Sequence, residues 1–318
     1  MKKYILIAMA CAGLFSACNN ELEKGDYEYP FDSTKLAIVK TGDVLTDYGI
    51  SMKIEMQVES NNGLDTVMQQ GIVVSETENI DLINGIVTPA ASRKIEKQTL
   101  TVEGLTSGKT YYYCAYAQNQ DGVAYGEKKQ ITMGKPWERA AVLLADFQTP
   151  AFLNMVMSAQ FGEDDGVEPA NFGALPIING APFALVMWSL DNNTGDLLNT
   201  DDVIFIEADF TDGASPEFTY LPYSFAAKPL QEKDIYFDSY EVIVSEEPFE
   251  TVEQANAAKV YFSETLTAET VNTMHTVKLP DFENKVCYIG IRHKTEESGY
   301  ALMISHLEAS ALFAPIGE

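Results

Sequence analysis

The sequence predicts an all-β chain of two successive antiparallel sandwiches, the second of jelly-roll type, and three observations predict it. From Lys35 onward, short runs of alternating apolar and polar residues follow one another, broken by Gly, Asn and Asp. Only "TVEQANAAKV" carries a helix-start signal, with Thr251 as cap and Gln254 at the capping-box position. Finally, "GKPW" at 134–137 interrupts the strand pattern with Gly134 and Pro136, dividing the chain into two segments that are each long enough for a core.

The first element is "MKKYILIAMACAGLFSACNN". Lys2 and Lys3 precede an apolar run from Tyr4 to Phe15, then Ser16, Ala17 and Cys18. A charged start, an apolar middle and small residues at the end make a secretory signal peptide over residues 1–17. The run is too short for a spanning helix, which needs about 20 apolar residues. "FSAC" resembles a bacterial lipobox, with Phe15 where that motif prefers leucine, and the resemblance implies that Cys18 is acylated. Cys11 is the rival, but a cut there leaves only a stub of apolar core. A cut near Ala17 without lipid would instead release the protein. Acyl chains contribute about 0.8 kcal/mol per buried methylene, so several on one cysteine hold firmly. Residues 18–34 then read as a flexible acidic tether, with Glu21, Glu23, Asp26 and Glu28 against Lys24. This stretch resembles the export tag of Bacteroidetes surface lipoproteins.

Residues 35–134 form the first sandwich. In "ISMKIEMQV", Ile50, Met52, Ile54, Met56 and Val58 alternate with polar residues, so one face is buried and one wet. "LTSGKTYYYCAYAQN" resembles the corner of a fibronectin type III or immunoglobulin-like sandwich. Leu105, Gly108 and Tyr111 form the turn there, and Tyr113, Ala115 and Ala117 the following strand face. A tyrosine at such a corner packs its ring inward and directs its hydroxyl to backbone. Cys114 alternates with Tyr112 and Tyr116 and is expected on the outer face. A spacer is the role such a module implies, and no function follows from its fold alone.

Residues 138–318 form the second sandwich, with strands in "RAAVLLADF", "FALVMWSL", "DVIFIEADF", "DSYEVIVSEE", "AKVYFSETL", "KVCYIGIRHK" and "YALMISHLEAS". Tyr240, Glu241, Val242, Val244 and Ser245, followed by Leu279, Lys285, Val286, Tyr288, Ile289, Arg292 and His293, resemble the choice-of-anchor J or cleaved-adhesin domain of Bacteroidetes surface proteins. That resemblance implies a jelly roll for binding or adhesion. It also implies a calcium site to which Asp146 would contribute, although Ser305 and His306 replace the acidic pair at the final strand. No other cofactor is expected. Arg292 and His293 read as scaffold, and Cys287 as a buried strand cysteine unpaired with Cys114.

Composition narrows the partners. The formal charge of −26 becomes −28 once Lys2 and Lys3 are lost, which repels nucleic acid and anionic head groups. The chain contains no nucleophile elbow, His-Glu-x-x-His, phosphate loop or Cys-x-x-Cys. Its three histidines show no catalytic arrangement, and the acidic loop "GEDDGVE" lacks the ligand spacing of a calcium loop. The expected protein is non-catalytic, and the lipobox and export-tag resemblances imply that it sits on the outer membrane, held by lipid alone and exposed at the cell surface. Its expected partner is a glycan or a surface protein. Flat rings suited to stacking on sugars occur at Trp137, Trp188, Phe218, Tyr220, Tyr223 and Phe225, of which Trp188, Tyr220 and Tyr223 are the ligand candidates. The alternatives are an assembly component of an outer-membrane complex without its own ligand, and a secreted hydrolase.

Overall fold

The computed structural model describes residues 33–145, 147–162, 183–188, 200–224, 238–267, 269–295 and 301–315. The signal segment with Cys11 and Cys18, Asp146, Phe225 and the acidic stretch 163–168 lie outside the described residues. The chain divides into two compact units. One spans residues 1–47, 51–105 and 109–132; the other spans 48–50, 106–108 and 133–318.

In the first unit, β1 (Ile38–Asp47), β2 (Met52–Ser60) and β5 (Lys97–Val102) make a three-stranded antiparallel sheet. The other sheet holds β3 (Gln69–Ser75), β4 (Ile86–Pro89), β6 (Thr110–Asn119), β7 (Gly122–Tyr125) and β8 (Lys129–Thr132). The period-two pattern of β2 decides its inner face: Met52, Ile54, Met56 and Val58 are all buried. Ile50, grouped with them by alternation, is 54% exposed because the strand begins only at Met52. From the facing sheet come Ile72, Val74, Tyr111, Tyr113, Ala115 and Ala117, all buried. The corner is as its residues require, with Leu105 and Tyr111 inside and Gly108 at φ +77°. Cys114 lies on the outer side of its sheet, as its alternation with Tyr112 and Tyr116 suggests. It faces away from the main core, but Ile80, Leu82 and Val87 cover that face, and burial pushes its thiol up to about 11.

β6 also shows how the chain runs through this unit. At its end, Asn119 Nδ2 donates to the carbonyl of Lys35 at 2.8 Å, where the chain enters. At its start, Thr110 meets Thr132 at 2.8 Å, where β8 ends. Entry and exit are therefore separated by a ten-residue strand, about 30 Å at 3.3 Å per residue.

The second unit contains β9 (Glu138–Ala145), β10 (Met157–Gln160), β11 (Leu185–Trp188), β12 (Thr200–Asp209), β13 (Gly213–Ser224) and β14 (Ser239–Ser245). A short helix α1 (Val252–Ala257) leads to β15 (Lys259–Thr265), β16 (His275–Lys278), β17 (Val286–Thr295) and β18 (Ala301–Phe313). One antiparallel sheet has the order β10-β12-β17-β14-β15, the other β11-β18-β13-β16 with β9 added to β18. From β10 to β18 the chain changes sheet at almost every step, which is jelly-roll connectivity. The core lies between the sheets. Ile204, Ile206, Val242, Val244, Cys287, Ile289 and Ile291 face Leu185, Met187, Phe218, Tyr220, Leu302 and Ile304.

The helix forms as its start signal predicts. Gln254 N donates to Thr251 Oγ1 at 3.3 Å, and Thr251 N donates to Gln254 Oε1 at 2.9 Å. The adjoining Phe249 and Ala255 of α1 cover Val203, Phe205 and Ile243 on the outer face of the first sheet. Gly290 admits that cover, because a Cβ there would sit 2.8 Å from Val203 and 2.9 Å from Phe249. We therefore expect Gly290→Ala to destabilise the second unit by about 1–3 kcal/mol, as overpacking does. Thermal unfolding monitored in that unit checks it; an unchanged midpoint would refute this account of the glycine.

Candidate functional site

The aromatic candidates separate by burial. Phe218 and Tyr220 belong to the core and are unavailable to a ligand. For Tyr220 this corrects the expectation of a ring that stacks on sugar: its inward position on β13 places it edge-on to Tyr240 at 5.8 Å and stacked on His275 at 5.4 Å. Trp137 packs edge-to-face on Tyr48 at 5.1 Å. Trp188 and Tyr223, by contrast, come together on the outer face of the second sheet. Both are partly buried against Val186, Ala301 and Met303.

Strand register explains this pairing. Trp188 opposes Ala301, and Val186 and Tyr223 flank Met303 from either side. Period-two alternation along β13 puts Tyr223, three residues from the inward Tyr220, on the opposite face. Two strand spacings and two residues of offset put the Cα atoms of Trp188 and Tyr223 about 12 Å apart. Ala301 and Met303 of the intervening strand β18 oppose Trp188 and Tyr223 respectively, and both are fully buried.

Polar groups concentrate in the first sheet. On its outer face Arg292 forks onto Asp201, with Nε–Oδ1 at 2.6 Å and Nη2–Oδ2 at 2.7 Å, and its Nη2 also donates to Asn256 of α1 at 3.0 Å. This is a scaffold contact, fastening helix to sheet. On the inner face of the same strands, Asp202 is the Cα partner of His293, and His293 Nε2 lies 3.2 Å from Asp238 Oδ1. Asp238 and His293 are fully buried and Asp202 is 6% exposed. Burial pushes the Asp202 carboxyl up to about 6, with His293 opposing and Asp201 reinforcing the change.

A second buried network joins the sheets. The Tyr220 and Tyr240 hydroxyls lie 3.1 Å apart, Tyr240 donates to Glu264 Oε2 at 2.7 Å, and His275 Nε2 is 3.3 Å from that oxygen. Burial raises both tyrosines far above the usual range, so they act as neutral hydrogen-bonding groups. Neither network was legible from the sequence, since each depends on residues brought together by strand pairing. Only the repeated acidic pair Asp201-Asp202 and basic pair Arg292-His293 hinted at the first.

Among the described residues no group of three His, Cys, Asp or Glu side chains is placed to hold a metal ion. Asp146, the calcium candidate, lies outside those residues. Ser305 is buried and His306 lies 3.5 Å from Glu308. The Cys287 thiol is buried in the core and pushed up to about 12.

No protein-family model matches the chain, and no curated protein matches it. Among solved structures it is similar to the K1 cleaved adhesin domain of Lys-gingipain from Porphyromonas gingivalis, with 18% identity and a TM-score of 0.40, over 53% of this chain and 97% of that one. The K3 cleaved adhesin domain of the same protein gives 18% and 0.39, over 54% and 100%. A SusE-like protein gives 10% and 0.41, over 87% and 97%. At this level of similarity the architecture rests on the strands themselves, which form an all-β protein of antiparallel sandwiches.

Breaking the Arg292 fork strands a carboxylate that is only 13% exposed. We expect Arg292→Ala to cost about 3 kcal/mol and Arg292→Lys distinctly less, since lysine keeps the charge but not the fork. Urea unfolding of both variants tests this, and equal losses would show that the retained charge contributes nothing and the fork geometry alone matters.

Proposed function

We propose that this chain is a non-catalytic, cell-surface lipoprotein whose second sandwich binds glycan. Cys18 is its lipid attachment point at the outer membrane. The first sandwich serves as a spacer, a role supported by chain entry and exit at opposite ends of β6. Among the described residues no helix is long and apolar enough to cross a membrane.

The observation that carries the binding reading is the pairing of Trp188 and Tyr223 on one sheet face, with small and apolar residues beneath them. Two rings held about 12 Å apart by a rigid sheet can lie along a few linked sugar rings without ordering a loop. Their own packing limits the rotamer freedom lost on binding. The buried groups elsewhere argue for scaffold over chemistry. Both thiols are neutral and enclosed, Arg292 is engaged by Asp201 and Asn256, and the three-ring network around Glu264 is internal.

Affinity electrophoresis of the full chain through a panel of plant, host and bacterial polysaccharides provides the test. Trp188→Ala and Tyr223→Ala should each weaken retention about tenfold, the equivalent of 1.4 kcal/mol, with unfolding midpoints little changed. Retention by no polysaccharide, or variants retained like wild type, would overturn the glycan reading. For the anchor, Cys18→Ala should move the protein from the membrane to the soluble fraction and abolish fatty-acid labelling. Persistence in the membrane would show that something other than acylation holds it.

A further inference from the structure

The same end of the second sandwich holds a group of ionisable side chains that the binding reading does not use. β11 ends at Trp188 and β13 at Ser224, while β18 begins at Ala301 beside both. In the other sheet, β12 begins at Thr200, opposite Thr295 at the end of β17, and β14 begins at Ser239. Since β17 leads into β18 after only a short connection, these are one end of the sandwich. Asp202, His293 and Asp238 lie at that end, pointing inward, in the row where the strands finish.

Among the described residues, Asp202 has no adequate counter-charge. On β12 its neighbour Asp201 is another carboxylate. On β17 the Arg292 guanidinium is turned to the opposite face and committed to Asp201, and among the described residues no lysine or arginine pairs with Asp202. Lys294 alternates to the outer face and is exposed. On β14, Asp238 adds a second buried carboxylate, Tyr240 is a neutral phenol, and Glu241 is on the outer side. Glu264 of β15 accepts from Tyr240. Across the core, β11, β18 and β13 face this row with Leu185, Met187, Leu302, Ile304 and Tyr220, of which only Tyr220 is titratable, and burial keeps it neutral. Among the described residues Asp202 Oδ1 and His293 Nδ1 are buried without hydrogen-bond partners. Two enclosed carboxylates and one imidazole thus share a site where a full double negative charge is strongly disfavoured.

We propose that Asp202, His293 and Asp238 form a proton-linked latch, which retains a proton on folding that the unfolded chain releases and so holds this end of the sandwich more firmly in mild acid than at neutral pH. The direction follows from the raised carboxyl. A group whose folded value lies above its unfolded one contributes stability that is full below the unfolded value, near 3.8, and is lost as pH rises through about 6. Because Trp188 and Tyr223 occupy the same end, the latch sets how rigid the proposed binding face is across that pH range. The latch itself is defined without a ligand, so its test is independent of glycan binding.

Amide hydrogen exchange on the full chain, at pH 5.0 and 7.5 and corrected for intrinsic rates, reads the opening of β12, β14 and β17. Asp202→Asn keeps the shape and removes the ionisation. It should open less than wild type at both pH values, and the gap should widen about tenfold from pH 5.0 to 7.5. A gap that does not change with pH overturns the latch. If that variant does not fold, carbon NMR of wild-type protein labelled at aspartate carboxyls decides. One carboxyl titrating near pH 6 supports the latch, and completion of all aspartate titrations below pH 5 overturns it. Loss of glycan retention in Trp188→Ala, or its absence, bears on neither outcome.

Discussion

The second sandwich is governed by one constraint: a strand that crosses between two facing sheets has a single inward face, and every side chain on it must be tolerable without water. Along the middle of β12, β14 and β17 that face is aliphatic, with Ile204, Ile206, Val242, Val244, Ile289 and Ile291 in register. Among the described residues, the inward carboxylates and imidazole of these strands, Asp202, Asp238 and His293, lie where the strands finish. Placement at the rim limits the loss of hydration relative to the centre of the core, and the aromatic pair Trp188 and Tyr223 gathers at that same rim on the other sheet.

The outer face of the first sheet solves a related problem differently. Val203, Phe205 and Ile243 would leave an apolar patch, and α1 with Phe249 covers it. Arg292, Asp201 and Asn256 then stitch the cover to the sheet with directional bonds. Gly290 makes the close approach possible. Helix cap, glycine and guanidinium fork are thus three separate local features serving one packing event.

Much of this architecture was legible in the sequence because period-two alternation and capping are local. The inner faces of β2 and β6 and the capping box at Thr251 follow directly from spacing. What local pattern cannot convey is what covers a face. Cys114 alternates outward as expected, yet Ile80 and Leu82 arrive from a loop and enclose it. Ile50 continues an alternation whose strand has not begun. Tyr220 and Tyr223 are three residues apart in one aromatic run, so alternation puts them on opposite faces, but which face is core is decided by the facing sheet. The rim cluster is hardest of all, since Asp202, Asp238 and His293 are joined solely by the pairing of three strands far apart in the chain.

The path of the chain through the first unit has a mechanical consequence. With Lys35 tied to one end of β6 and Thr132 to the other, a pull applied at these two points runs parallel to the strands. Hydrogen bonds in an antiparallel ladder lie across that direction, so a load shears many of them at once instead of peeling them singly. A module threaded in this way resists drag from flowing fluid far better than one whose two ends emerge side by side.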